Sequence, residues 1–441
     1  MRDTIFALSS GAPPAGVAVI RISGPNVRFG LETLTGLVPA PRVAHLTDIH
    51  DRSGVLLDRG LVLFFPGPRS FTGEDVAEFQ IHGGRASVSS VLSALSGLAG
   101  FRPAEPGEFT KRAFENGRMD LTAVEGLSDL IRAETEAQRR QALDQAGGLL
   151  KDLYDGWARR LTYARAMIEA ELDFSDEDDI PGSVTDKIWP DMRDLALEIA
   201  DHLSRAKTGE IVRDGFRIAL IGKPNVGKSS LLNNLAHRDV AIVSETPGTT
   251  RDVIETRLDI GGNLVLLLDT AGLRDSDDDV EIEGMRRSIA AAADADLILQ
   301  LRDARHANTI SYDLNDLRAK MLIVWTKSDL VAADDGAIPI DDILISNKAG
   351  TGINSLISAI GNRITTDGGR NTEALPTRER HVHLLRQCAI ELENAQNDSD
   401  LPIEVKSEYL RTAAVSLGRI TGTVDVEDLL GVIFSEFCVG K

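Results

Sequence analysis

Two cysteines in 441 residues, Cys388 and Cys438, are too few for a disulfide framework or a four-cysteine zinc site. Cys388 lies on an apolar helical pattern, Leu384 to Leu392, and reads as a small buried hydrophobe. Positive charge is also short. Against 68 Asp and Glu stand only 48 Lys and Arg, a formal net charge of -20, which excludes a protein that coats nucleic acid non-specifically. Any RNA must meet a local basic patch or be held by a partner. No apolar run reaches the roughly 18 residues of a membrane span. The segment Met1 to Leu8 lacks the apolar core of a signal peptide, so a cytoplasmic location is expected. A hydrophobic share of 42% describes a globular chain, and its length suggests about three domains.

What is present is a phosphate-binding pattern. Gly222-Lys223-Pro224-Asn225-Val226-Gly227-Lys228-Ser229 fits G-x-x-x-x-G-K-[ST], between a predicted strand, Phe216 to Ile221, and a predicted helix from Ser230 to Ala236. Backbone N–H groups of such a loop and the positive end of the helix wrap a β-phosphate. The Lys228 ammonium reaches the β/γ oxygens and the Ser229 hydroxyl ligates Mg²⁺. A second predicted strand, Leu264 to Leu268, ends in Asp269-Thr270-Ala271-Gly272, which puts a carboxylate beside the loop as a further Mg²⁺ partner. Thr326-Lys327-Ser328-Asp329 closes the strand Met321 to Trp325 and resembles the N-K-x-D guanine clamp of GTPases. Asp329 would accept the guanine N1–H and 2-amino group, which adenine cannot offer. Thr326 stands where Asn is usual, a loss of about 0.5–1.5 kcal/mol that weakens binding rather than changing its specificity. Ser346-Asn347-Lys348, after the predicted strand Asp342 to Ile345, resembles the S-A-K element behind the base.

Along the chain, residues 1–118 mix short strands and turns, with strands at Val17 to Ile22, Gly60 to Phe65 and Val76 to Ile81 and a helix at Ser87 to Leu98, which suggests an α+β domain. Helical spacing begins at Leu121, Val124 and Leu127 and returns at Trp157, Leu161, Ala164 and Ile168. The acidic run Asp173 to Asp179 lacks EF-hand ligand spacing and reads as a solvated loop. A helix over Trp189 to Lys207 precedes a nucleotide domain at 214–365. Helices at Arg378 to Leu392, Glu404 to Ile420 and Val426 to Phe437 follow in 366–441. That tail is a small core on its own, so the economical reading packs it on the helices of 119–213 with the nucleotide domain inserted between them.

The residue after the D-x-x-G glycine, where Ras-like enzymes keep a water-orienting glutamine, is Leu273. Another polar group is then required, and Asp275 to Glu283 is the obvious supplier. No arginine is clearly placed as a finger; Arg251 and Arg274 are candidates. A cation held by the protein is a reasonable substitute, and the Asn225 side-chain carbonyl can bridge it to the phosphates.

The domain order, the switch Gly248-Thr249-Thr250-Arg251-Asp252 and the ending Phe437-Cys438-Val439-Gly440-Lys441 resemble the MnmE (TrmE) family of tRNA modification GTPases over essentially the whole chain. Val19 to Gly24, Ser70 to Gly84, Pro106 to Leu121 and Ile420 to Lys441 carry the resemblance outside the GTPase motifs. It implies an N-terminal α+β folate-binding and dimerisation domain, a helical domain, and an inserted Ras-like P-loop GTPase domain. It also implies a homodimer that joins an FAD-binding partner, MnmG, in a heterotetramer. Together they would add a carboxymethylaminomethyl or aminomethyl group to C5 of the wobble uridine of certain tRNAs. The one-carbon unit would come from 5,10-methylene- or 5-formyl-tetrahydrofolate. By the same resemblance, K⁺ is held by Asn225, Ser244, Thr246 and Thr249 and Mg²⁺ by Ser229 and Thr250. Glu281 positions the catalytic water. GTP or GDP lies against Asn225 to Ser230, Ser244-Glu245-Thr246-Pro247-Gly248-Thr249-Thr250, Asp269 to Gly272, Thr326, Lys327, Asp329 and Ser346 to Lys348. Folate would be held by Arg21, Glu78, Arg118 and Lys441, a carboxylate for the pterin edge and cations for the glutamate tail.

Cys438 has three readings. Prenylation is excluded by Gly440, Lys441 and the lack of a basic run. A structural thiol and a nucleophile whose pKa Lys441 lowers both remain, the second suited to addition at uridine C6 and favoured by the resemblance. The nucleotide motifs alone would equally suit a regulatory GTPase, for example in ribosome assembly, with flanks that only bind. A one-carbon enzyme with a vestigial GTPase is disfavoured by the complete phosphate loop.

Overall fold

Turn residues cut the first hundred positions into short apolar runs, and these runs pair. The computed structural model describes residues 3–173, 185–223, 225–238, 240–242, 254–269, 293–306, 321–331, 338–339, 342–368, 374–397, 401–424, 430–431, 433–434, 437 and 439–440. The chain forms two compact units, one of Met1–Ser128, Gln145–Ile188 and Asn394–Lys441, the other of Asp129–Asp144 and Trp189–Glu393.

In the first unit, β1 (Thr4–Leu8), β2 (Ala15–Ser23), β3 (His45–His50), β4 (Leu56–Phe65), β5 (Val76–Gly83) and β6 (Phe101–Pro103) make a sheet in the order β3-β4-β5-β2-β1-β6. Only β1 and β6 run parallel. Inward residues of period two, Ile20, Ile22, Val62, Phe64, Phe79 and Ile81, bury one face under α1 (Val27–Thr35) and α2 (Arg85–Ser96). The other face carries Ile5 and Ala7 against Phe109 of α3 (Glu108–Glu115). Further along, α4 is Leu121–Arg132 and α6 is Leu149–Asp173, while α5 (Glu136–Ala146) falls mostly in the second unit. The stripe Tyr154, Trp157, Leu161, Ala164 and Ile168 on α6 is fully buried, at helical spacing.

The second unit holds α7 (Thr185–Ser204), α8 (Ala206–Asp214), β7 (Phe216–Ile221), α9 (Lys228–Ala236), β8 (Ile254–Ile260), β9 (Asn263–Asp269), β10 (Leu297–Asp303), β11 (Met321–Thr326), β12 (Ile343–Leu344), α10 (Ile353–Gly368) and α11 (Glu379–Asn397). Its sheet runs β12-β11-β10-β7-β9-β8, parallel throughout except for the β8–β9 hairpin. Strands buried on both faces explain the largely apolar runs Phe216–Ile221, interrupted by exposed Arg217, and Leu297–Leu301, interrupted by buried Gln300. The hairpin turns on Gly261 and Gly262, both at positive φ (64° and 85°), as a two-residue turn requires. The helix α12 (Ile403–Thr421) belongs to the first unit and packs along α6.

Several expectations shift. The strand expected over Asp342 to Ile345 shrinks to Ile343–Leu344. The helix expected from Trp189 to Lys207 begins earlier, at Thr185, and breaks at Arg205 before α8. Pro190 sits inside it. The acidic run beyond Asp173 and most of Val426 to Phe437 lie outside the described residues.

Candidate functional site

The phosphate loop leaves the C-terminal end of β7 and enters α9. Gly222 must be glycine there, since a Cβ would stand 2.8 Å from the Leu301 carbonyl oxygen and 2.9 Å from Val226 Cγ1. Asn225 (φ 62°) and Gly227 (φ 108°) take left-handed conformations on either side of buried Val226. Gly227 caps α9 without a side chain, so the helix's first N–H groups are left for an anion. The Lys228 ammonium folds over the loop and donates to the carbonyls of Gly222 and Lys223. Ser229 and Ser230 follow, exposed, on the first turn. Asp269 ends β9 opposite Leu220 of β7, level with the start of the loop. A hydroxyl, a carboxylate and phosphate oxygens are the hard-oxygen donors that Mg²⁺ takes, so these residues fit that ion.

The base clamp grows from β11 and β12. Asp329, exposed, is held below the usual carboxylate range by the Ser346 hydroxyl, which donates to its Oδ1 at 2.5 Å, and is fully ionised near neutrality. Lys327, itself left-handed at φ 60°, sends Nζ to the Asn225 carbonyl and to Asp303 Oδ2, both at 2.9 Å. Thr326, fully buried, donates its hydroxyl to the Val226 carbonyl at 2.6 Å. The exchange of Asn for Thr thus keeps a tether to the phosphate loop. Asn347 donates through Nδ2 to the Gly227 carbonyl at 3.2 Å, and Lys348 lies exposed beside it. Asp303 escaped the sequence reading. The hydrogen bond from Arg305, then that from Lys327, hold its carboxyl far down, and an acid at the C-terminal end of an apolar strand was the available signal.

In the first unit, Arg21 on β2 and Glu78 on β5 are cross-strand partners and form a half-buried ion pair, with Nε and Nη2 at 3.0 and 2.9 Å from Oε1. The guanidinium also lies over the rings of Phe71 and Phe109, at 5.4 and 5.8 Å from their centroids. Neither phenylalanine was singled out from sequence, though both fall in stretches that carry the resemblance. Arg118 is exposed just after α3, and its stem passes beside Gly73 in the loop before β5. The end of the chain returns to this sheet. Ser9 Oγ donates to the Gly440 carbonyl at 2.8 Å, and Val439 bridges Pro106. A carboxylate, a cation and two aromatic rings on one sheet face suit a planar heterocycle with an amide edge, so they fit a folate. Cys388 is fully buried, and burial followed by Glu391 pushes its thiol up to about 12, an unreactive group.

Several candidates lie outside the described residues: Ser244, Glu245, Thr246, Pro247, Gly248, Thr249, Thr250, Thr270, Ala271, Gly272, Glu281, Cys438 and Lys441. Among the described residues no cluster of His, Cys, Asp and Glu forms a metal site, and no helix is long and apolar enough to cross a membrane.

A parallel sheet in this order, a glycine-bounded phosphate loop opening α9, and an aspartate clamp beside it define a P-loop GTPase. The family model described as "MnmE helical domain" matches residues 121–438, and "GTP-binding protein TrmE N-terminus" matches residues 4–118. A tRNA modification GTPase MnmE of Rhizobium johnstonii is 53% identical over 442 residues, covering 100% of this chain and 99% of the relative. Its counterpart in Brucella anthropi is 51% identical over 441 residues, with the same coverage. The chain belongs to the MnmE (TrmE) family. Among solved structures, Era of Aquifex aeolicus is 21% identical and covers 40% of this chain and 66% of its own, with a TM-score of 0.26, too loose a likeness to carry weight.

Proposed function

We propose that this chain is a K⁺-activated GTPase. Working in the cytoplasm as a homodimer with an FAD-binding MnmG partner, it adds a carboxymethylaminomethyl or aminomethyl group to C5 of the wobble uridine of certain tRNAs. Its parts are an N-terminal folate-binding and dimerisation domain at 1–118, a helical domain in two pieces at 119–213 and 366–441, and the GTPase domain at 214–365. The observation that carries this reading is similarity to the MnmE relatives across both units, so the guanine clamp and the Arg21–Glu78 face come as one inherited set. A regulatory GTPase with passive flanks has no use for that face.

In the GTPase part, Asp329 reads the guanine edge, the N–H groups from Asn225 to Ser230 cradle the phosphates, and Lys228 turns from the loop carbonyls to the β/γ oxygens. Ser229 and Thr250 would hold Mg²⁺, with Asp269 reaching the ion through a bound water. Asn225, Ser244, Thr246 and Thr249 would hold K⁺, which supplies the charge that an arginine finger gives elsewhere. Glu281 orients the attacking water in the place that Leu273 cannot fill. In the other unit, Glu78 reads the pterin edge of tetrahydrofolate, and Arg21, Arg118 and Lys441 pair with its glutamate tail. When bound, that folate supplies the one-carbon unit. Cys438, its thiolate favoured by the charge of Lys441 three positions on in sequence, would add to uridine C6 and be expelled again when the substituted C5 loses its proton.

Mass spectrometry of tRNA nucleosides from cells lacking the gene tests the whole reading. Loss of the C5-substituted anticodon uridines is expected, and their full retention refutes it. For the purified protein, GTP turnover should rise at least tenfold when K⁺ replaces Na⁺; equal rates would remove the cation from the mechanism.

A further inference from the structure

Three successive carbonyls of the phosphate loop are each held by a side chain from the base-recognition loops: Asn225 by Lys327, Val226 by Thr326 and Gly227 by Asn347. The third rung comes from a residue that departs from the S-A-K pattern. We propose that Asn347 is a positioning residue for the phosphate loop, coupling the loop behind the base to the cradle for the β-phosphate. The inference rests on reading the site as a guanine-nucleotide site.

Peptide planarity gives the reason. A peptide unit whose C=O is drawn to one side presents its N–H to the other, so drawing the Gly227 carbonyl toward Asn347 turns the Lys228 N–H away from the clamp. That N–H opens α9, where a phosphate is received. The same carbonyl accepts the first helical bond from Leu231 N–H at 2.9 Å, so Asn347 is a second hold on this peptide, applied from outside the helix. Asn347 is in turn fixed by α9, for Asn234 Nδ2 donates to its main-chain carbonyl at 2.9 Å. Its Oδ1 is buried without a donor among the described residues, so the amide is oriented by the Gly227 bond alone. An alanine would pack here without leaving that acceptor bare. A polar residue kept against this cost is explained by what its donor half does.

The test compares GDP with GMP, which lacks the β-phosphate, on the full-length protein by competition against a fluorescent GDP analogue. Asn347→Ala should weaken GDP roughly three- to tenfold, the worth of one neutral hydrogen bond, and GMP less than twofold. Preference for GDP over ADP should be unchanged. Thr326→Val, which removes the neighbouring tether at constant shape, should shift the same ratio the same way. Should Asn347→Ala leave the protein unfolded, Asn347→Ser, whose hydroxyl falls short of Gly227, replaces it. Equal weakening of GDP and GMP, or no change in either, overturns the assignment of Asn347. Wild-type protein that binds ADP as tightly as GDP would instead overturn the guanine-site reading beneath it.

Discussion

Asp329 shows how one carboxylate can set a nucleotide preference. The Ser346 hydroxyl keeps it ionised, and both of its oxygens are then acceptors. Asp329→Asn converts one of them into a donor that opposes guanine N1–H and matches a base with a carbonyl at C2. GTP affinity should fall roughly 10- to 100-fold, the worth of hydrogen bonds to a charged group, while xanthosine triphosphate improves. Competition binding with the two nucleotides decides it, and a variant that still prefers GTP would mean that Asp329 does not read the base. Thr326 shows the opposite case. The pattern N-K-x-D suggested that a contact was lost there, yet the hydroxyl reaches the Val226 carbonyl. Sequence alone registers the missing amide and cannot register the tether.

At the scale of elements, the buried parallel strands β7, β9 and β11 were legible, while β10 between β7 and β11 was not anticipated. Phe216–Ile221 was recovered at both ends and Met321–Thr326 within one residue, because burial leaves a largely apolar run. The edge strands β3 and β8 were missed, though the edge strand β12 was anticipated over Asp342 to Ile345. His45–His50 sets its apolar residues Leu46 and Ile49 three apart among polar ones, and Ile254–Ile260 carries Glu255, Arg257 and Asp259 in seven positions, so neither stands out from loop. The phosphate loop and clamp were legible because their chemistry fixes residue spacing. The Arg21–Glu78 pairing was not, since it depends on the register of two strands fifty-seven positions apart.

The long helices also hide a titration. His202 on α7 is 2% exposed, and burial, then the charges of Arg205 and of His381 on α11, push its pKa down to about 4, with Asp201 opposing. The folded state thus keeps this imidazole neutral, while the unfolded chain takes up a proton below pH 6.5. Stability contributed by the neutral form is intact above pH 6.5 and drains away as pH falls toward 4, by roughly 3 kcal/mol. Urea denaturation at pH 7 and pH 4.5 should show the drop, and His202→Leu should lessen it. A variant that loses as much as wild type places the acid sensitivity elsewhere.

At the scale of the whole molecule, the chain's last described residues are pinned to its first strand. Gly440 lies at φ 100°, and a Cβ there would stand 2.1 Å from the Leu8 carbonyl oxygen, a main-chain atom that cannot yield cheaply. Leu8 pairs with Ile20, one residue from Arg21. Gly440→Ala should therefore lift the tail off β1. Both the φ and the clash oppose it, at a cost of about 1–3 kcal/mol for each. The expected result is a loss of tetrahydrofolate binding and of uridine modification by tenfold or more, with K⁺-stimulated GTP turnover within twofold of wild type. Ser9→Ala removes only the 2.8 Å hydrogen bond to the Gly440 carbonyl and should have a smaller effect in the same direction. If Gly440→Ala modifies tRNA normally, the tail is a surface anchor and the nucleophile must be sought elsewhere. If it loses GTP turnover as well, the tail supports more than the folate face.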